Sequence, residues 1–277
     1  MSQEDSTRTF GGLVRPGRAL SAVMVGLAAI WLMFAIAINW GGATEALFLL
    51  FCGNTERIVA NGEVWRLFTA PFMHAPSGTI GHIVFALLGL FFLAPTLEHA
   101  WGGARMLRFL LFSAIIAYGF QMAVELVTPA PIAAKLVGTY WFGAFPVIEA
   151  IAVAWALSFR GQVVRLWPIP IPMTSKGLII MVVGLSVFRL IAVSQTPEGL
   201  LSPFGGMFAG WLLGASTPSP LRRAYLRLRL AQLDREAARG KRRRRAGQAP
   251  FRVIEGGRSR AAADDDDPRG PDGRFLN

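Results

Sequence analysis

Long apolar runs alternate along the chain with short polar connections that carry arginine. Six of these runs approach the roughly 20 mostly apolar residues that a membrane-crossing helix needs: 19–38, 80–97, 109–127, 140–159, 177–195 and 199–217. Within the first, Ala35-Ile36-Ala37 imitates a leader cleavage site. Its apolar run, however, exceeds the ~7–15 residues of a secretory leader, so we read it as a retained helix. The connection at 39–79 is too long for a simple turn. It holds its own apolar stretch, Ala46 to Phe51, followed by Trp65, Phe68 and Phe72. That content predicts short helices lying in the outer membrane interface.

Basic residues test the topology independently. Arg8, Arg15 and Arg18 precede the first run, Arg105 and Arg108 lie in the second connection, and Arg160, Arg165 and Lys176 lie in the fourth. An arginine-rich tail follows the sixth, and all of these groups fall on one side. The other side holds Arg57 and Arg66 offset by Glu45, Glu56 and Glu63, then Lys135 and Glu198. Lys and Arg in short loops favour the cytoplasm. The expected arrangement is six spans with both termini cytoplasmic, in the plasma membrane of a bacterium.

Composition sharpens this reading. The 277 residues are 53% hydrophobic and only 16% charged, with a mean hydropathy of +0.45. A soluble domain carries about 25% charge, so an ordinary soluble enzyme is excluded. Cys52 is the single cysteine, which leaves no intramolecular disulfide. With no zinc, haem or iron–sulfur spacing either, neither a metal nor a cofactor is expected.

The net charge of +11 sits mostly at the end of the chain, where 16 Lys/Arg against 8 Asp/Glu follow residue 220. Residues 218–245 predict a basic amphipathic cytoplasmic helix with apolar positions at Leu221, Tyr225, Leu228 and Leu233. Such a helix suits an anionic lipid surface, although the same pattern fits a solvated basic helix. The arginine run at 241–245 lacks interleaved aromatics, so nucleic acid is not an expected partner. Residues 246–277, with four aspartates at 264–267, bury nothing and are expected to be disordered. The predicted organisation is therefore a cytoplasmic segment at 1–18, a membrane domain at 19–217, the basic helix and the tail.

Several motifs resemble the rhomboid family. Trp65-Arg66-Leu67-Phe68-Thr69, Phe72-Met73-His74 and His82-Ile83-Val84-Phe85 resemble the family's first loop and second helix. Leu97-Glu98 running into Trp101-Gly102 is similar to its Glu-x-x-x-Gly connection. Span four, from Trp141, lies in the register of the family's Gly-x-Ser-Gly motif. Span six, from Leu201, is similar to its Ala-His-x-x-Gly helix. The resemblance covers about 60–215 and implies an all-α, polytopic six-helix rhomboid-like bundle with a long helical first loop and a basic C-terminal tail.

The resemblance also implies a site, because active rhomboids are intramembrane serine proteases. They use a serine on span four, a histidine base on span six, and a histidine and an asparagine on span two that bind the oxyanion. Here the matching positions hold Phe145, Pro203, His82 and Ala86. Neither phenylalanine nor proline attacks a carbonyl or accepts a proton. No serine lies between Ser113 and Ser158, and His74, His82 and His99 all lie in or beside span two. The catalytic set is thus vacated, apart from an oxyanion-like His82 expected to bond within its helix cap or the first loop. Trp141, Phe142, Phe145 and Pro203-Phe204 are expected to leave a dry, plugged centre.

Other residues carry two readings each. Gly206, Gly210 and Gly214 present a smooth stripe for close helix contact, which the resemblance implies packs against span four, with dimerisation as the alternative. Glu149 and Arg189 are ionisable at membrane depth, where a functional reading is the default. Arg189 is expected to reach Glu149 or Glu125, or to snorkel outward. Either a structural ion pair results or, with Trp141, Phe142 and Phe145, a contact for another protein's transmembrane helix. The resemblance implies that Trp65 and Arg66 shape the first loop, with Arg66 bridging backbone carbonyls rather than contacting a substrate. The function expected from the resemblance is an inactive rhomboid-like pseudoprotease that binds transmembrane segments of client proteins. The alternatives are an active protease with a relocated nucleophile and a small transporter or channel.

Overall fold

A computed structural model describes residues 9–10, 13–78, 80–129, 138–165, 172–192, 196–214 and 220–247. Lys135, the expected ends of spans five and six at 193–195 and 215–217, and the tail from 248 lie outside these residues. The chain divides into two compact units, Met1–Leu226 and Arg227–Asn277.

The first unit is a helical bundle. Two short strands, β1 (Thr9–Phe10) and β2 (Leu13–Val14), pair antiparallel ahead of α1 (Arg18–Asn39). The long first connection folds into α2 (Glu45–Leu49), α3 (Thr55–Asn61), α4 (Arg66–Thr69) and a 3-10 turn at Ala70–Phe72. Then come α5 (Gly81–Trp101), α6 (Gly103–Val127) and α7 (Phe145–Ser158). A hairpin of β3 (Val163–Arg165) and β4 (Pro172–Thr174), with Val164 opposite Met173, leads into α8 (Ser175–Ala192) and α9 (Ser202–Gly214).

Helices α1, α5, α6 and α8 are long and apolar enough to cross a membrane. The other two apolar helices, α7 and α9, have 14 and 13 residues. At 1.5 Å per residue they rise only about 20 Å, against about 30 Å of hydrocarbon. Both begin at a proline pair, Phe145-Pro146 and Ser202-Pro203. Proline lacks the N–H that a helix interior needs but is tolerated in the first turn, so these pairs mark starts. Span four therefore begins five residues later than the apolar run suggests, and span six three residues later. Span two instead continues through Pro95 to Trp101.

Helix α7 lies at the centre, packed against α9, α8, α5 and α6. Its buried residues include Val147, Ala150, Ile151, Ala154 and Trp155. Gly206, Gly210 and Gly214 of α9 face it, one per turn. A Cβ at Gly206 would overlap the Pro146 carbonyl, one at Gly210 the Ala150 carbonyl, and one at Gly214 the Ala154 side chain. The order of these contacts makes the two helices parallel. Ala150 and Ala154 supply small residues from the other side, so the two backbones come close together.

Two buried polar groups tie the ends of the bundle. The Glu98 carboxylate accepts from the N–H groups of Gly17, Ala19 and Leu20 at 2.7, 3.1 and 3.2 Å. These are orphan donors at the start of α1, and a carboxylate there is favoured by the helix dipole as well. At the start of α9, the Gln121 side-chain oxygen accepts from Leu201 and Ser202 N–H at 2.8 and 2.9 Å. Its Nε2 donates to Glu125, which also binds the Thr55 hydroxyl of α3.

The tail helix α10 (Pro220–Gly247) is described by itself. At roughly 100° per residue, Leu226, Leu230 and Leu233 share one side, whereas Tyr225 and Leu228 share the opposite side. Leu233 thus departs from the single apolar face expected of it, and arginines fall between the two apolar sides.

Gly206→Ala and Gly210→Ala should each lower bundle stability by about 1–3 kcal/mol, the range for overfilling a packed interior. Gly184→Ala, whose new Cβ would meet nothing within 4 Å, should leave it unchanged or raise it. Thermal unfolding of the purified protein in detergent checks the contrast.

Candidate functional site

The site sits where the first turns of α5 and α7 meet the loop before α9. Phe145 is the first residue of α7, and its ring stacks on His82 with centroids 5.5 Å apart and planes at 27°. His82, in the first turn of α5, is flanked by Phe142 at 5.7 Å and His74 at 4.9 Å. Its Nδ1 accepts from the Ala75 N–H of the first loop at 3.4 Å. Pro203 is buried in the first turn of α9, and Ala86, one turn along α5 from His82, is fully buried.

Gly143 holds this arrangement together at a φ of 118°, where side-chain-bearing residues are strained. Its carbonyl accepts from the Tyr118 hydroxyl at 2.6 Å and its N–H donates to Ala70 O at 2.9 Å. A Cβ there would stand 2.9 Å from His82 Cε1 and 3.3 Å from Glu198 Cγ. The imidazole is thus packed directly against the turn that precedes α7.

The centre is not apolar throughout, contrary to the dry plug expected from the sequence. Glu198 projects into it with a side chain only 2% exposed. Its Oε1 lies 3.1 Å from His82 Nε2, and its Oε2 accepts from Arg189 at 2.8 Å. The guanidinium carbon of Arg189 in turn lies 5.9 Å from the Phe145 ring centroid. Arg189 therefore pairs with neither Glu149 nor Glu125. Glu149 is met instead by the Ser186 hydroxyl at 3.0 Å, and Glu125 is held by Gln121 and Thr55. A signal for Glu198 was present: an arginine at membrane depth needs a carboxylate, and Pro197-Glu198-Gly199 offers a turn nine residues on.

The remaining expected residues divide. Phe142 is half-buried, with its ring 5.1 Å from Phe48. Trp141 is 1% exposed, stacked on Tyr118 at 4.7 Å and bridged through its backbone to Gly53. It is therefore a core residue rather than a contact for another helix. Arg66, also 1% exposed, donates to the Leu49 and Cys52 carbonyls at 2.5 and 2.7 Å and pairs with Glu63. Trp65 donates to Leu50 O at 3.3 Å. Both thus fasten α2 to α4.

Among the described residues no histidine bonds a serine, threonine or cysteine. His74 meets Phe72 O, His99 meets Pro95 O, and His82 meets Ala75 and Glu198. Ser202 donates to Glu198 O at 2.7 Å. Burial pushes the Cys52 thiol upward, so it stays protonated and inert.

The family model of the rhomboid domain matches residues 61–219. The chain is 25% identical over 115 residues to rhomboid protease GluP of Bacillus subtilis, covering 42% of this chain and 22% of that protein. It is 30% identical over 110 residues to the putative rhomboid protease YdcA of the same organism, covering 40% of this chain and 52% of that protein. The chain thus spans between about a fifth and about half the length of these curated relatives.

Removing the central carboxylate with Glu198→Gln leaves Arg189 unpaired and should lower stability by about 3 kcal/mol, as for breaking a buried ion pair. The pH profile separates two groups. Burial, and secondarily His82, pushes His74 from 6.5 down to about 4. The unfolded chain takes up a proton in that window and the folded chain does not, so stability should fall as the pH drops from 6.5 toward 4. For Glu198, burial works against the charge, but the His82 bond and the Arg189 charge hold the carboxyl below 4.5. Its contribution is full above 4.5 and is lost as the pH falls through the lowered value. In thermal melts His74→Gln should flatten only the upper window.

Proposed function

Because the chain belongs to the rhomboid family, we propose that it is a protease-like integral membrane protein that has lost proteolysis and binds transmembrane helices of other membrane proteins. The observation that carries this reading is the pair of helix starts. Phe145 begins α7 stacked on His82, and Pro203 stands in the first turn of α9, at the positions where resemblance to active members puts nucleophile and base. Neither side chain attacks a carbonyl or accepts a proton. Ala86 stands where a second oxyanion donor would be, and loss of one such donor alone costs about 100–1000-fold in rate. The relatives are named as proteases, so the frame is shared while these positions argue against the chemistry.

Client binding is the use left to such a frame. Phe142, Phe145, Glu149 and Arg189 stay partly accessible around the centre, whereas Trp141 does not. Arg189 retains donors beyond its bond to Glu198, and polar groups hydrogen-bond across helices within a membrane. Helix α8 packs chiefly on α7 and exposes Ile180, Phe188 and Ile191, a surface for lipid or for a partner helix. The charge distribution supports a reading with both termini cytoplasmic, in the plasma membrane of a bacterium, where the basic α10 would meet anionic lipid.

Full-length protein carrying a photo-crosslinking residue at Phe145, irradiated in native membranes, should capture membrane proteins of intact length. Captured clients bearing a new terminus in or beside a transmembrane segment, reproduced by the purified protein in liposomes, would favour a relocated nucleophile and sink the proposal.

A further inference from the structure

At the end of the bundle remote from Phe145, the first turns of α6 line a cavity. It holds about 290 Å³ and is lined by Arg105, Arg108, Phe109, Phe112 and Leu213. The spacing of the four α6 residues, i, i+3, i+4 and i+7, puts them on one helix face. Along that face the two arginines come first, and each aromatic lies one turn further into the apolar helix. Leu213, from the end of α9, closes the apolar part.

The arginines are positioned but not neutralised. The Arg105 guanidinium carbon lies 4.7 Å from the ring centroid of Trp101, which in turn packs edge-on against Phe109 at 5.1 Å. A tryptophan in such a place is typical of a membrane interface. Arg108 is held by one bond, from Nε to Ala104 O at 3.3 Å. Neither arginine pairs with a carboxylate within 4.0 Å among the described residues. The nearby acid, Glu98, is occupied by the amides of α1. A cleft with two uncompensated guanidinium groups above an aromatic floor has the order of a phospholipid, with phosphate outermost and acyl chain inward.

We infer that this cleft between α6 and α9 binds an anionic phospholipid. Arg105 and Arg108 hold the headgroup phosphate, and Phe109, Phe112 and Leu213 contact the first part of an acyl chain. Guanidinium suits phosphate because its planar fork donates two bonds at once. Basic pockets between membrane helices bind phospholipid headgroups in this way. The site is independent of the client-binding reading, and its lining residues all belong to the first unit.

The test uses the delipidated full-length protein in neutral detergent, with thermal unfolding as readout. It is titrated with dioctanoyl-phosphatidylglycerol, dioctanoyl-phosphatidylcholine and inorganic phosphate. Phosphatidylglycerol should raise the melting temperature most. Arg105→Gln/Arg108→Gln should weaken that response roughly thirtyfold, at about 1 kcal/mol per basic residue, and Arg105→Lys/Arg108→Lys, which keeps the charge but not the fork, should fall between the wild type and the glutamine variant. Phe112→Ala, at a residue 50% exposed, should weaken the lipid response while leaving the basal melting temperature intact. Three results would overturn the inference. They are an undiminished response in the double glutamine variant, which would assign the effect to the tail, equal protection by phosphatidylcholine, and equal protection by inorganic phosphate, which would leave an ion site without a lipid.

Discussion

The close approach of α7 and α9 is the constraint on which the rest of the bundle depends. Three glycines one turn apart leave no room for even a methyl group against Pro146, Ala150 and Ala154. With little hydrophobic drive between helices inside a bilayer, such close backbone packing supplies much of the association. Because the contacts run in register, fixing one turn fixes the next, and the two helix starts come to stand side by side. Gly143 before α7 and Gln121 beneath α9 then lock those starts from the loop side. The site is a consequence of this register: whatever residues occupy 145 and 203 are brought to the head of the same helix pair.

Glu198 shows what the bundle does with charge once that frame is set. Moving a carboxylate out of water is costly, and its attraction to a partner offsets this only with good geometry on every oxygen. Here one oxygen faces His82 on α5 and the other Arg189 on α8, so a single loop residue joins two helices that otherwise meet through α7. Glu98 follows the same rule at the opposite end, with three backbone amides in place of a cation. In both cases the acid comes from a connection or helix end and serves a neighbouring element.

Much of the architecture was legible because membrane helices advertise themselves by length and apolarity. The runs at 19–38 and 109–127 correspond closely to α1 and to the apolar part of α6, and the aromatics of 39–79 signalled helices in the first loop. The glycine spacing on span six likewise pointed to a close helix contact, and the family resemblance named span four as the partner. Helix starts were less visible, since Trp141, Phe142 and Gly143 are as apolar as the helix they precede and only the proline at 146 marks the change. Within the site, Phe145, Pro203 and His82 could be placed from their motifs. The partner of Arg189 was signalled only by its need for a carboxylate, because hydropathy treats Glu198 as a loop residue in water, whereas the turn at Pro197-Gly199 folds it inward. Trp141 misled for a related reason: an aromatic at a helix mouth looks like a contact surface until Tyr118 and Gly53 are seen to enclose it.

The substitutions at the two helix starts are compatible with the frame on physical grounds. The first residues of a helix have no intrahelical acceptor for their N–H groups, so Pro146 and Pro203 forfeit no bond that the helix would have made. Phenylalanine at 145 places its ring on His82 and below Arg189, filling the space that a serine would leave open to water. Of these residues Pro146 meets the glycine face of α9, and it does so through its backbone at Gly206, an atom set that any residue supplies. Packing and chemistry are therefore carried by separate residues on the same two helices. The glycine stripe thus sets the register of the helix pair without fixing which side chains stand at 145 and 203.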